Sequence, residues 1–518
     1  MVSRFLGNGV LRNSRLDFSI TTLVALMLLN AIAATGFAQP TAGRNSLAVV
    51  QESHAEAYRD FSAELAKLIE FCEEKSLPEG VERIQSRLIS PKTQSRNLPA
   101  LPREVQPSIS AQLTADARYW QTQLKRQDDE YSKALYLLSR RALHSDNPGY
   151  AYQLVREAAV HNPDHLPIRK ILGFEQLGTE WITPFAADQT RKGNVWHEDF
   201  GWLPKNQLNR YADGERNFKG RWVTAAKEQE LRHAFVDGWQ VRTDHYLIKT
   251  NFSLERAVEL GKALEDFYEF FNETFAGFFN TPEQLKKLFD GKARAVQTTP
   301  YVVHYYRSRD EYLDRLRKQF PTIEQTNGVY MTNDRVAHFY HDNQADNEGT
   351  LFHEATHQLF YESHQAPRPI GESAHFWIIE GIACYMESFH RENGNVSIGD
   401  PNYIRFAGAR ANLLAENGYY VPLRAFSGLG MRPFQNAPKS ELTKNYTQAS
   451  GLARFFMHYD NGRYREALVT HLSQLYSSNA RLRDHAAGLD ELTGIDFEEL
   501  DRQYRDDARQ VQQAVTQH

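Results

Sequence analysis

Two histidines one helical turn apart, and a solitary carboxylate set in an apolar run 23 residues beyond them, constrain this chain more than any other feature. Residues 353–357 read His353-Glu354-Ala355-Thr356-His357. Further on comes Trp377-Ile378-Ile379-Glu380-Gly381-Ile382-Ala383-Cys384-Tyr385-Met386-Glu387. Positions i and i+4 of an α-helix share a face, so both imidazoles aim at one spot. Leu351, Phe352, Ala355, Leu359 and Phe360 line the other faces, and Asn347-Glu348-Gly349-Thr350 offers cap chemistry upstream. Trp377, Ile378, Ile382 and Tyr385 suit a second buried helix packed against the first. A carboxylate inside that run is costly unless it is paired or bound to a metal, so Glu380 is expected opposite the histidines.

Such a set supplies three ligands, His353, His357 and Glu380, for a Zn2+ ion that keeps one position open. Glu354 lies about 100° round the helix from His353, beside the ion rather than on it. That is where a general base belongs. Zinc lowers the pKa of a bound water towards ~7, Glu354 takes the proton, and the resulting hydroxide attacks a carbonyl.

On these residues the chain resembles the gluzincin metallopeptidases. The pattern Trp-x-x-Glu-Gly-x-Ala-x-Tyr-x-Glu at 377–387 is similar to the third-ligand helix of the aminopeptidase-N branch. The resemblance implies the same ligands, His353, His357 and Glu380, and the same base, Glu354. It departs at two places. Ile379 stands where that branch usually has asparagine, and Gly328-Val329-Tyr330-Met331-Thr332-Asn333 lacks the glutamate that anchors a substrate's free amino group. Cleavage within chains is therefore expected. A metzincin would place glycine and histidine where Phe360 and Ser363 stand. The segment from Asn445 to Phe456 resembles the Tyr-x-x-Ala helix of related families, and Tyr446 is the expected transition-state donor. His364 and His375 are spare histidines.

Length allows two or three domains in 518 residues. Arg4, Arg12 and Arg15 precede an apolar run from Ile20 to Ala34, and Gly36-Phe37-Ala38 offers a small-x-small cleavage site. Residues 1–38 thus read as a signal peptide, and the mature chain as secreted or periplasmic with no stable membrane span. Their loss removes three arginines and one aspartate from a chain of net charge −5. The acidic remainder has no electrostatic footprint for nucleic acid. Cys72 and Cys384 make no disulfide framework, and Cys384 reads as a small core residue.

Residues 39–178 read as a helical N-terminal domain of repeat-like character. Ala134, Leu135, Leu138 and Ala142 mark one helix, Asn147-Pro148-Gly149 breaks it, and Tyr152, Val155 and Ala159 mark the next. Residues 179–237 form a Trp-rich connector with short strands, in which Trp181-Ile182-Thr183 and Trp222-Val223-Thr224 echo each other. Residues 238–518 would be the gluzincin-like domain, with a strand from Tyr246, a helix capped by Ser253, and a strand Tyr301–Tyr306. Asn327-Gly328 suggests a tight turn before Val336–Tyr340, and the resemblance puts the strand 335–341, with His338 and His341, along the cleft. The expected fold class is α+β, a mixed sheet plus helices of zincin-like type. The order of parts also resembles an uncharacterised family of exported bacterial proteins, through the Trp-rich middle, Thr250-Asn251-Phe252-Ser253 and the histidine segment. The expected function is an exported zinc peptidase acting on peptides or proteins. The alternative is a non-catalytic envelope scaffold or peptide-binding protein that uses its helical front end.

Overall fold

The computed structural model describes residues 47–88, 96–292, 299–342, 348–364 and 370–516. The signal segment and Asn347 lie outside these residues. The described part is α+β. A five-stranded mixed sheet carries β1 (Trp239–Arg242), β2 (Tyr246–Thr250), β3 (Tyr301–Tyr306), β4 (Gly328–Met331) and β5 (Val336–Tyr340). Its spatial order is β4-β5-β3-β2-β1. The three central strands β5, β3 and β2 run parallel, and the two edges, β4 and β1, run antiparallel to their neighbours.

The edge assignment corrects two expectations. The strand leading into the histidine helix, β5, is paired on both sides, and β4 holds the open edge. The tight turn falls at 332–335, where Arg335 takes a left-handed φ of 58°, and Asn327-Gly328 instead opens β4. Gly328 faces Phe339 across the ladder, and a Cβ there would stand 2.8 Å from the Phe339 ring. The glycine serves close packing, not reversal of the chain.

Period-2 and period-3.6 patterning account for the main elements. Ser253 caps the helix Leu254–Thr274 by accepting from the Arg256 N–H. That helix lays Phe267, Phe271 and Phe275 into the main core. The histidine helix (Glu348–His364) presses Phe352 onto Phe267 at 4.9 Å, and Phe360 onto Phe271, Phe275 and Phe278. All eleven residues of the carboxylate helix (Phe376–Met386) are buried. The donor helix (Lys439–Gly462) crosses it where Gly381 meets Ala449, and a Cβ on Gly381 would fall 2.7 Å from the Ala449 carbonyl oxygen. Only glycine lets the two backbones come this close.

Ahead of this core, helices Leu47–Glu74, Ala115–His144 and Pro148–His161 build a second hydrophobic cluster. Ala276, Leu285 and Phe289, from beyond residue 238, complete it. In return, Arg96–Leu98 adds a strand antiparallel to Asn395–Ile398, and Arg156 reaches Glu269 at 2.6 Å and Glu273 at 3.2 Å. The two clusters are therefore stitched in both directions.

The Trp-rich middle is a triplicated unit. Three hairpins, Glu175–Ile182, Asn194–Pro204 and Glu215–Thr224, are each followed by a short helix. Trp181, Trp202 and Trp222 take matching places and rest on the preceding helix, against Arg169, Phe185 and Arg210 respectively. The echo has a local cause: the tryptophan and its aliphatic neighbour end a strand, and Thr183 and Thr224 then cap the next helix. Pro204 stands at the middle unit's cap position.

Gly381→Ala is expected to cost about 1–3 kcal/mol by overpacking against a backbone that cannot rotate away. Urea unfolding of the variant against the parent chain measures it.

Candidate metal centre

The histidine helix and the carboxylate helix put three donor atoms at one point. His353 Nε2 lies 3.2 Å from His357 Nε2 and 3.5 Å from Glu380 Oε2. His357 Nε2 lies 3.8 Å from the same oxygen. His353 and Glu380 are each 7 % exposed. Glu380 Oε2 is buried and has no hydrogen-bond partner among the described residues. An orphaned carboxylate oxygen facing two imidazole nitrogens is what a tetrahedral N/O metal site requires of its donors. The residues fit a zinc-class ion.

Burial favours neutral imidazole, but interactions with Cys384, Glu380 and Glu387 outweigh it and raise the His353 pKa well above its usual value. Burial lowers that of His357. Burial alone would raise the Glu380 pKa, yet the two imidazoles bring it down to about 2.

Glu387 is the member the sequence reading missed. It follows Glu380 by two helical turns, so the spacing was visible in the sequence. Its Oε1 receives His353 Nδ1–H at 2.8 Å. Arg405 grips the same carboxylate with a fork, Nε to Oε2 at 2.6 Å and Nη2 to Oε1 at 2.8 Å, and Tyr403 donates to Oε2 at 3.1 Å. This fixes the imidazole with hydrogen on Nδ1 and Nε2 turned to the centre. His353, Cys384 and Glu387 also converge as a second possible ligand triple. With both Glu387 oxygens already engaged, that triple is an orienting network. Cys384 is fully buried, as expected, but its thiol is within hydrogen-bonding reach of His353.

Glu354 is 6 % exposed, and its Oε2 accepts the Tyr330 N–H at 2.8 Å. The carboxylate expected to act as base is thereby tied to the open-edge strand β4. Tyr446 lies on the donor helix, 5 % exposed and edge-on to Phe434 at 5.2 Å. Burial first, then the charges of Glu380 and Cys384, push its hydroxyl pKa well up, while a hydrogen bond to Gln435 opposes this. The phenol therefore stays protonated beside the triple. Tyr476, at the end of the helix Arg465–Leu475, feels Glu380 as well, after burial.

Three further histidines, His338, His341 and His364, make contacts away from this centre. His338 Nδ1 pairs with the Tyr306 hydroxyl at 3.0 Å, and its Nε2 lies 3.4 Å from Asp334. His341 stacks on Phe252, and His364 rests against Phe278. Among the described residues, no helix is long and apolar enough to cross a membrane.

Comparison of the chain with family models, with curated proteins and with solved structures finds no match.

The Arg405–Glu387 pair gives a pH-dependent prediction. Burial would raise the Glu387 pKa, but Arg405 and His353 bring it to about 2, below its ordinary 4.5. The charged form therefore stabilises the fold above pH 4.5, and that contribution is lost as pH falls from 4.5 towards 2. Arg405→Met should cost about 3–5 kcal/mol at neutral pH by stranding a buried charge. It should also flatten the loss of stability in that acidic window. Chemical denaturation across the pH range checks both.

Proposed function

We propose that the chain is an exported zinc-dependent peptidase of gluzincin type, cleaving within peptide chains. The observation that carries the reading is the convergence of His353 Nε2, His357 Nε2 and the unpartnered Glu380 Oε2, with Glu354 anchored beside them. Zinc bound by His353, His357 and Glu380 would polarise a water and lower its pKa towards ~7.

The chain's own residues do the rest. Arg405 holds Glu387, and Glu387 holds His353 Nδ1–H, so that Nε2 faces His357 and Glu380. Glu354 takes the water's proton on its carboxylate and passes it to the leaving amine. Its bond to the Tyr330 N–H keeps it in place and joins it to β4. The open edge of β4 supports binding of an extended peptide as an added strand. Tyr446 donates its hydroxyl hydrogen to the oxyanion that forms at the scissile carbonyl. The glutamate that would hold a free amino end is missing from Gly328–Asn333, which favours internal bonds. A non-catalytic scaffold has no use for a buried carboxylate fixed beside two ligands.

Purified chain lacking residues 1–38 should contain zinc and digest a broad peptide library. Glu354→Gln should keep the metal and lower hydrolysis by roughly 10²–10⁴-fold. Full activity in that variant sinks the mechanism. Tyr446→Phe should lower kcat by about 10²–10³-fold with little change in KM, the mark of a contact made in the transition state. Steady-state kinetics on one library-derived peptide measures the split.

A further inference from the structure

A second pair of histidines repeats the ring geometry of the ligand pair. His375 and His471 have ring centroids 4.6 Å apart at 72°, against 4.9 Å and 71° for His353 and His357. His375 is the residue immediately before the carboxylate helix. It is held at a left-handed φ of 62°, with its N–H donated to the Ser427 carbonyl at 2.8 Å. His471 lies on the helix Arg465–Leu475 and has no exposed surface.

The hydrogen bonds decide what this pair offers. His471 Nδ1 donates to the Ala487 carbonyl at 2.6 Å, which places the proton on Nδ1 and leaves Nε2 as a bare lone pair. His471 Nε2 and His375 Nδ1 are both buried, and neither has a hydrogen-bond partner among the described residues. A backbone carbonyl on one ring nitrogen with the other left free is the arrangement that orients a metal-binding imidazole. Burial lowers both pKa values, that of His471 to about 4, so both rings are neutral at neutral pH, as ligands must be. The cross-strand pair His304 and His338 shows the contrast. Its centroids are 5.3 Å apart, but His338 Nδ1 pairs with the Tyr306 hydroxyl and its Nε2 faces the Asp334 carboxylate at 3.4 Å.

We infer that His375 and His471 form a second metal site, sharing no residue with the first, that takes a borderline transition ion of the Zn2+, Ni2+ or Cu2+ class. Two imidazoles without a carboxylate select such ions over Ca2+ or Mg2+, which need oxygen donors. The partial exposure of His375 gives an ion a way in. With only two protein donors, this site binds more weakly than the triple. An ion here ties the helix Arg465–Leu475 to the turn that launches the carboxylate helix, five residues before Glu380.

Calorimetric titration of metal-stripped, untagged full chain with Zn2+ tests the site. The expected result is two ions per chain, the weaker of which is lost in His375→Asn and in His471→Gln. Asparagine tolerates the left-handed backbone at 375, and a partly exposed position keeps that variant folded, which circular dichroism checks. His353→Ala/His357→Ala should retain the weaker ion and lose it when His375→Asn is added. A His375→Asn chain that binds Zn2+ with the parent's stoichiometry and affinity overturns the second site. Failure of the first site would show separately, as unchanged binding in His353→Ala/His357→Ala.

Discussion

A carboxylate buried in the middle of an otherwise apolar helix is the constraint that the rest of the molecule answers to. Each of the eleven residues from Phe376 to Met386 is buried, and Glu380 alone among them is ionisable with a low pKa. Its charge cannot be left uncompensated in such surroundings. The answer is layered and alternates in sign. Glu380 faces the histidines, His353 is backed by Glu387, and Glu387 is clamped by Arg405. The histidine helix must lie against the carboxylate helix for this to work, and a wall of phenylalanines from the helix Leu254–Thr274 and its continuation fixes it there.

The sheet contributes by position. Pairing β5 on both sides leaves β4 as the free edge, and the Glu354 carboxylate reaches back to the Tyr330 N–H on that edge. The histidine helix is thus joined to an edge strand of the sheet. The front of the molecule does not stand apart from this. Arg96–Leu98, Arg156 and the second and third hairpin units grip residues of the main core, so the front of the molecule braces the sheet and its helices.

Much of this was legible because it depends on short periods. Four-residue spacing placed His353 with His357, and an apolar run placed Glu380 in a buried helix. Alternation gave β3 with its observed ends, and Ser253 marked a helix start. What escaped depends on contacts between distant segments. Glu387 sat in the quoted motif, but its value comes from Arg405, which is brought in by another helix. Gly328 looked like a turn residue because its partner, Phe339, is chosen by strand register, which local sequence does not state. The triplication was half seen, since Pro204 breaks the threonine pattern in the middle unit. The strand Arg96–Leu98 pairs across some 300 residues of chain, and no local signal announces such a partner.

The contact between Gly381 and Ala449 limits which sequence changes this fold tolerates. The helix bearing Glu380 and the helix bearing Tyr446 are spaced by a missing methyl group. Sequence drift elsewhere on either helix can be absorbed by repacking side chains, because side chains have rotamers to spare. Drift at this crossing cannot, because the obstacle is a carbonyl of the main chain. The distance between the proposed ligand and the proposed donor is therefore set by main chain against main chain. Sequence change should therefore collect on the side-chain faces of the two helices, while the crossing stays as it is.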